Sequence, residues 1–62
     1  MLKRFTMTRL ENAARDNCGF CLACGAKAEA VEPDARKYLC ERCGKNLVFG
    51  AEEIALMGYV KG

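Results

Sequence analysis

The first run of spaced apolar positions in the chain has the period of a helix. Thr8-Arg9-Leu10-Glu11 has the form of a capping box, with Thr8 as the N-cap and the Glu11 carboxylate reaching back to a free backbone N–H. A narrow, weakly apolar stripe follows at helical spacing and consists of Leu10, Ala13, Ala14 and Asn17. Cys18-Gly19 interrupts it. The pattern therefore predicts a short helix that begins at Thr8 and ends before Cys18.

The middle of the chain changes to the two-residue period of strands. Residues 28–32 alternate small or apolar with acidic side chains, as a half-buried strand does. Residues 32–35, with Pro33 in second position, favour a turn, and residues 36–40 return as a second strand. The apolar run at 46–49 is suited to a third strand.

The last apolar segment predicts a second helix. Gly50 breaks the third strand, and residues 51–57 carry Glu52 and Glu53 in the first turn, where carboxylates complement the helix dipole. Gly58 suits the position just after a helix end. A helix this short is marginal alone, so it must pack on the rest of the molecule.

Composition sets a limit on what this core can do alone. The chain has 62 residues, of which 52% are hydrophobic, with three Phe and no Trp. Domains below about 70 residues rarely gain enough from burial and usually carry a disulfide or metal staple. A structural zinc contributes about 10–16 kcal/mol to small metal-folded domains. We therefore expect a metal to decide whether this chain folds.

Five cysteines supply the chemistry for such a staple. Two copies of Cys-x-x-Cys-Gly occur, at residues 21–25 and 40–44. Each pair can hold one ion from a tight turn, and two pairs complete a tetrahedral S4 site for one Zn²⁺ per chain. The glycine after each pair permits a sharp turn with positive φ. The predicted ligands are Cys21, Cys24, Cys40 and Cys43.

Cys18 leaves one alternative open, because Cys18-Gly19-Phe20-Cys21 has the same Cys-x-x-Cys spacing. Only Cys24 is followed by the glycine that also follows the second pair, so Cys18 is interpreted as a bystander. The alternative is an accessory thiol near the metal that exchanges with a ligand or is oxidised. Iron also accepts four thiolates, and rubredoxins, which carry electrons, share paired knuckles of this form. An aromatic content of 8% disfavours that minor alternative.

The order of knuckles and strands predicts a small α+β fold. We expect a zinc-ribbon-like, three-stranded antiparallel sheet with two zinc knuckles and short N- and C-terminal helices. Residues 1–17 form an N-terminal helical arm in this interpretation, and residues 18–62 form the zinc-ribbon domain with the C-terminal helix. A treble clef is the alternative, but it requires a helix directly after the second knuckle, which Gly44 and the run at 46–49 disfavour.

The segments at residues 19–25, 31–36, 38–44 and 48–53 resemble small zinc-ribbon proteins found in phages and bacteria. The resemblance covers the chain from about residue 20 to residue 57. It implies a structural zinc on the four cysteines of the two knuckles, and it implies little about activity. The N-terminal helix lies outside it.

Charge and residue types favour a binding module over an enzyme. The formal net charge is +2, and an S4 zinc centre, which carries two negative charges, would cancel it. The chain has no His, the usual general base, and the four cysteines leave no open metal position. We therefore expect no catalysis and no small-molecule substrate.

The partner is predicted from local clusters of charge and apolar residues. A nucleic acid is favoured, as for an accessory protein, through a basic N-terminal arm and cations around the hairpin and second knuckle: Lys3, Arg4, Arg9, Arg36, Lys37, Arg42 and Lys45. The alternative is a protein partner or a homodimer, through an apolar surface formed by Leu47, Val48, Phe49, Ile54, Leu56 and Met57.

The setting is interpreted from cysteine usage and hydropathy. No secretory signal and no stretch of about 18–20 apolar residues occurs. Thiolates kept for a metal favour a reducing compartment. We expect a cytoplasmic protein that does not act on membranes.

Overall fold

The computed structural model describes residues 2–61 and has seven elements of secondary structure. Five of them are short strands and two are helices. In chain order they are β1 (Phe5–Thr6), α1 (Met7–Arg15), β2 (Cys18–Cys21), β3 (Lys27–Glu29), β4 (Val48–Gly50), α2 (Ala51–Leu56) and β5 (Val60–Lys61).

Three of the strands form the antiparallel sheet that the sequence predicts, in the order β3-β2-β4. Phe20 lies at the centre of the sheet, opposite Lys27 on one side and Phe49 on the other. A separate two-stranded parallel sheet joins β1 to β5, with Phe5 opposite Val60. The small α+β, zinc-ribbon-like fold class is therefore confirmed.

The strands themselves differ from those predicted. The central strand is β2, which begins at Cys18, where the sequence pattern predicts the end of the first helix. Gly19 has a packing role there, since a Cβ at this position would lie 2.3 Å from the carbonyl oxygen of Phe49. All four residues of β2 are buried, and a strand buried on both faces lacks the apolar–polar alternation that identifies a strand.

Two of the three predicted strands, those at 28–32 and 36–40, are correct only in part. Residues 28–32 were predicted as one strand, but β3 ends at Glu29 because Ala30 adopts a positive φ of 58°. Residues 36–40 contribute a single bridge, between Tyr38 and Val48, because Lys37 also has a positive φ. The turn at 32–35 is confirmed by the Ala35 N–H, which donates to the Glu32 carbonyl at 3.0 Å.

Helix α1 begins two residues earlier than predicted. Its N-cap is Thr6, whose hydroxyl accepts from the Arg9 N–H at 3.2 Å, and Thr8 lies inside the first turn. The earlier start lets Phe5 enter β1 and the core, where it is 2% exposed. The helix ends at Arg15, and Asn17 then adopts a positive φ of 55°.

Alternation along β2 separates two apolar clusters. Cys18 and Phe20 belong to the larger cluster, which both helices cover through residues such as Leu10 and Ile54. Cys21 belongs to the second cluster, which contains Val31, Ala35, Cys40 and Val48. The helices thus stabilise one face of the sheet, and the knuckle cysteines lie with the other.

The N-terminal helix shares its packing with the rest of the chain. Leu10 and Ala13 of α1 lie in one buried cluster with Phe20 and Ile54. The predicted division between residues 17 and 18 stays a prediction. Within residues 2–61, neither helix has the length and apolar character needed to cross a bilayer.

Candidate metal centre

The first knuckle is the turn between β2 and β3. The Gly25 N–H donates to the Cys21 carbonyl at 2.8 Å, and the Cys21 N–H donates to the Ala26 carbonyl at 2.9 Å. Gly25 has a φ of 81°, a conformation that costs little without a Cβ. These bonds hold the Cys21 and Cys24 side chains on one tight loop.

The second knuckle repeats this pattern. The Gly44 N–H donates to the Cys40 carbonyl at 2.8 Å, the Cys40 N–H donates to the Lys45 carbonyl at 2.9 Å, and Gly44 has a φ of 80°. The same donors and acceptors therefore recur at the same spacing after each first cysteine. Local sequence dictates both loops, which is why the Cys-x-x-Cys-Gly pattern predicts them.

The two loops face each other and bring four sulfurs together. The Sγ atoms of Cys21, Cys24, Cys40 and Cys43 all lie within 4.8 Å of one another. Two of the contacts join different knuckles, at 3.6 Å from Cys21 to Cys43 and 3.7 Å from Cys24 to Cys40. No disulfide joins them, and all are free thiols.

This spacing fits a tetrahedral metal site. Four sulfurs at about 2.3 Å from a central Zn²⁺ lie about 3.8 Å from one another, whereas a disulfide needs about 2.05 Å. Soft thiolate donors suit zinc and iron and exclude harder ions such as Mg²⁺ and Ca²⁺. The four cysteines are therefore positioned to bind a metal ion.

The thiols of Cys40 and Cys43 differ in pKa because their surroundings differ. The Cys43 N–H donates to the Cys40 sulfur at 3.4 Å and lowers the pKa of Cys40 to about 6. The Lys45 N–H lowers the pKa of Cys43, but partial desolvation of the sulfur and the neighbouring thiols outweigh it and raise that pKa to about 11. The Cys40 thiol therefore loses its proton more readily than the Cys43 thiol, and a metal ion binds the deprotonated form of each.

Cys18 lies away from this cluster. Its side chain is 5% exposed, packs with the helices and lies near the Asp16 carbonyl, with the sulfur 3.5 Å from that oxygen. Cys18 and Cys21 are three residues apart on one strand, so their side chains point to opposite faces. Cys18 and Cys21 therefore cannot bind the same metal ion, although their Cys-x-x-Cys spacing in the sequence would allow it.

The seven cations predicted to contact a nucleic acid have different surroundings in the structure. Arg9 lies over two aromatic rings, with its guanidinium carbon 5.6 Å from the Phe5 centroid and 5.0 Å from that of Phe20. Arg36 forms an ion pair with Glu53, at 3.0 Å. The remaining cations are exposed, with no salt bridge among residues 2–61: Lys3, Arg4, Lys37, Arg42 and Lys45.

Three of the exposed cations lie beside the knuckles. Arg42 lies in the second knuckle loop, and Lys45 directly follows it. Lys3 donates its backbone N–H to the Leu22 carbonyl at 2.8 Å, and its side-chain Cδ would lie 3.8 Å from a Cβ at Gly25. The N-terminal arm thus contributes Lys3 to the first knuckle, a placement that the sequence pattern did not predict.

The predicted apolar partner surface is used mostly inside the molecule. Val48, Phe49 and Ile54 are buried in the two clusters, and Leu47 is half-buried against them. Leu56, at 80% exposed, and Met57, at 40%, remain open to solvent at the end of α2.

A shallow groove of about 720 Å³ lies beside the cluster and was not predicted. Ala28, Val31 and Val48 line it, with Tyr38 and Arg42 among its other lining residues. The Tyr38 hydroxyl donates to the Glu32 carboxylate at 2.8 Å, which raises the pKa of Tyr38. This contact arises only from the turn at 32–35, which brings the two side chains together.

Comparison of the chain with protein-family models, curated proteins and solved structures gives no match. The function is therefore argued from the geometry of the site.

Proposed function

We propose that this protein is a zinc-stabilised binding module whose partner is a nucleic acid. The observation that carries the zinc assignment is the spacing of the four sulfurs, with contacts of 3.6 and 3.7 Å between knuckles. These distances suit the edges of a ZnS4 tetrahedron, which measure about 3.8 Å. Protein sulfurs fill all four positions, as in zinc sites that hold a fold together.

In this proposal Cys21, Cys24, Cys40 and Cys43 hold Zn²⁺, and the ion supplies the cross-link between the two loops. Each loop is already ordered by its own backbone hydrogen bonds. The ion therefore fixes how the loops sit against each other. The protein acts by binding in the cytoplasm, where thiols stay reduced, and not by catalysis.

Native mass spectrometry of the purified protein tests the metal. We expect one zinc per chain and a compact charge-state distribution that is lost on chelation. One iron per chain would contradict the zinc assignment and favour the electron-carrier alternative. A compact chain without metal would contradict both.

The nucleic-acid assignment is supported by the exposed cations near the knuckles. Lys3, Arg42 and Lys45 have no carboxylate partner among residues 2–61, so they are free to contact phosphates. Arg9 and Arg36 make contacts inside the molecule, which reduces their contribution. The binding surface is therefore proposed at the knuckles.

Electrophoretic mobility shift with labelled single- and double-stranded DNA and RNA tests this assignment. We expect a shift at low salt that weakens steeply as salt rises, since phosphate contacts release counterions. The variant Arg42→Ala/Lys45→Ala should bind at least about tenfold more weakly. The matched control, Arg15→Ala/Lys61→Ala, changes the net charge equally at exposed positions outside the knuckles and should bind nearly as wild type.

An equal loss in both double variants would indicate attraction by net charge alone and contradict a knuckle surface. No shift at low salt with tens of micromolar protein would contradict nucleic-acid binding altogether. The second candidate, a protein adaptor, would then remain, because Leu56 and Met57 are exposed at the end of α2.

A further inference from the structure

One outer edge of the three-stranded sheet is covered by the chain itself, and the other is open. The chain itself covers the edge of β4, where Tyr38 and Val48 exchange backbone hydrogen bonds of 2.9 and 3.1 Å, and the Gly50 N–H donates to the Ala35 carbonyl at 2.9 Å. Strand β3 is the other outer strand, and no segment within residues 2–61 pairs with its free side. An uncovered edge strand is a template for pairing with another chain.

The register shows which backbone groups point outward from β3. In antiparallel strands, opposite residues alternate between pairs that exchange hydrogen bonds and pairs that do not. The Cys21 N–H donates to the Ala26 carbonyl, in the register that places Gly19 opposite Ala28. Ala28 therefore points its N–H and carbonyl toward β2. By the same alternation, Lys27 and Glu29 point theirs away from the sheet.

The side chains of this edge are complementary to themselves. Lys27 and Glu29 are exposed, carry opposite charges and lie on one face of the strand, because they are two residues apart. An antiparallel copy of β3 centred on Ala28 places Lys27 opposite Glu29 of the second copy, and Glu29 opposite its Lys27. Both residues of each such pair have outward-pointing backbone groups.

We propose that β3 is a homodimerisation edge, which pairs with the β3 strand of a second copy in antiparallel register centred on Ala28. The pairing joins two three-stranded sheets into one of six strands, related by a twofold axis. It forms four backbone hydrogen bonds, two in each Lys27–Glu29 pair. In each of the two pairs, a lysine lies beside a glutamate of the other copy. This surface is distinct from the apolar patch predicted from the sequence.

The charge pattern separates this proposal from a protected edge. Natural edge strands avoid pairing through short length, charged side chains (lysine above all), inward-pointing charges, proline or a bulge. Strand β3 is short and carries Lys27, but it has no proline, and its two opposite charges attract those of an antiparallel copy. The short edge limits the affinity, so we expect a weak, transient dimer that forms at high protein concentration.

Charge exchange tests the register through sedimentation velocity of the metal-loaded protein up to about 1 mM. Lys27→Glu alone and Glu29→Lys alone each set like charges opposite each other and should weaken the dimer at least about tenfold. The double variant Lys27→Glu/Glu29→Lys restores both attractions and should dimerise as the wild type does. An equimolar mixture of the two single variants should form a heterodimer that is more stable than the homodimer of either variant.

Amide hydrogen exchange provides a second readout, which does not depend on charge. The Lys27 and Glu29 amides should become more protected as the protein concentration rises, while the Ala28 amide stays protected throughout by β2. A monomer at every concentration overturns the proposal. So does a dimer that is equally strong in all four proteins, or one whose Lys27 and Glu29 amides exchange freely. In either dimer another surface is the interface.

Discussion

Single residues decide which thiols can meet a metal. Cys18 and Cys21 lie on the same strand with their side chains on opposite faces, whereas the four clustered sulfurs come from two loops with matching hydrogen bonds. The same Cys-x-x-Cys spacing therefore has two meanings, since a tight turn converges its side chains and an extended strand separates them.

Replacing a clustered cysteine should remove the metal, and replacing Cys18 should not. In Cys43→Ser one thiolate is lost from an exposed position, so we expect zinc affinity to fall by at least about a hundredfold. Cys18→Ala removes one buried sulfur, lowers the free energy of unfolding by about 1 kcal/mol and leaves one zinc per chain. Competition with a chromophoric chelator measures both affinities. Loss of zinc from Cys18→Ala would contradict the assignment of the four ligands.

Gly44 and Gly50 are required for different reasons. A Cβ at Gly50 would lie 2.1 Å from the Glu32 carbonyl oxygen and 2.3 Å from that of Pro33. A Cβ at Gly44 would have no neighbour within 4 Å, but Gly44 has a φ of 80°. Gly50 therefore permits close backbone packing, and Gly44 permits a backbone conformation.

Alanine substitution should separate these two roles. Gly50→Ala forces two backbone segments apart, so we expect it to lower the free energy of unfolding by about 3 kcal/mol or more. Gly44→Ala meets only the penalty of positive φ, about 1 kcal/mol. Urea unfolding of the zinc-loaded variants measures both changes. Equal losses would contradict the close contact at Gly50.

At the scale of elements, the start of α1 shows how tertiary contacts select between two local signals. Thr6 and Thr8 are both suitable N-caps, and only Thr8 has a glutamate three residues later. The structure uses Thr6, because a helix that begins at Met7 lets Phe5 stack on Phe20 at 4.5 Å between ring centroids. Burial of that aromatic pair outweighs the reciprocal capping box.

Thr6→Ala should therefore destabilise the protein more than Thr8→Ala. Thr6 satisfies an otherwise free helix N–H, so we expect its loss to cost about 1 kcal/mol. Thr8 is exposed in the first turn, and its replacement should change the free energy of unfolding by less than about 0.5 kcal/mol. Urea unfolding monitored by circular dichroism compares them. A larger loss in Thr8→Ala would indicate that the helix begins where its sequence predicts.

For the whole molecule, two small clusters on opposite faces of one sheet must hold 62 residues together. The larger cluster ties the helices to the sheet, and the second contains two of the metal-site cysteines, Cys21 and Cys40. Few apolar side chains are available to stabilise the second face. A metal ion held by the four cysteines would therefore be the main constraint on that side of the molecule.

Removal of the metal should thus affect the two faces unequally. As a chelator is added in steps, we expect amides of the knuckle loops at 21–25 and 40–44 to lose exchange protection first, and the helices to lose it once the metal is fully removed. Zinc should restore both. Hydrogen exchange with and without a chelator makes this comparison. Unchanged protection of the knuckles without metal would contradict a structural role for the ion.

Part of this fold could be predicted because its signals are local. The knuckles depend on hydrogen bonds that span at most five residues, and the turn at 32–35 on residues within it. The positions of α1, β4 and α2 follow from local periodicity to within a few residues. Strand β2 could not be predicted in this way, because a four-residue run buried on both faces carries no periodic signal.

By itself the sequence determined which four thiols are positioned to bind a metal ion, the two helices and the class of fold, because spacing and periodicity act between residues that are near each other in the chain. Only the tertiary structure decided that β2 is the central strand, that Cys18 faces the helices, that Arg9 and Arg36 are engaged internally, and that β3 has an open edge. Each of these depends on which distant segments lie side by side, and burial and backbone pairing over the whole chain select that arrangement.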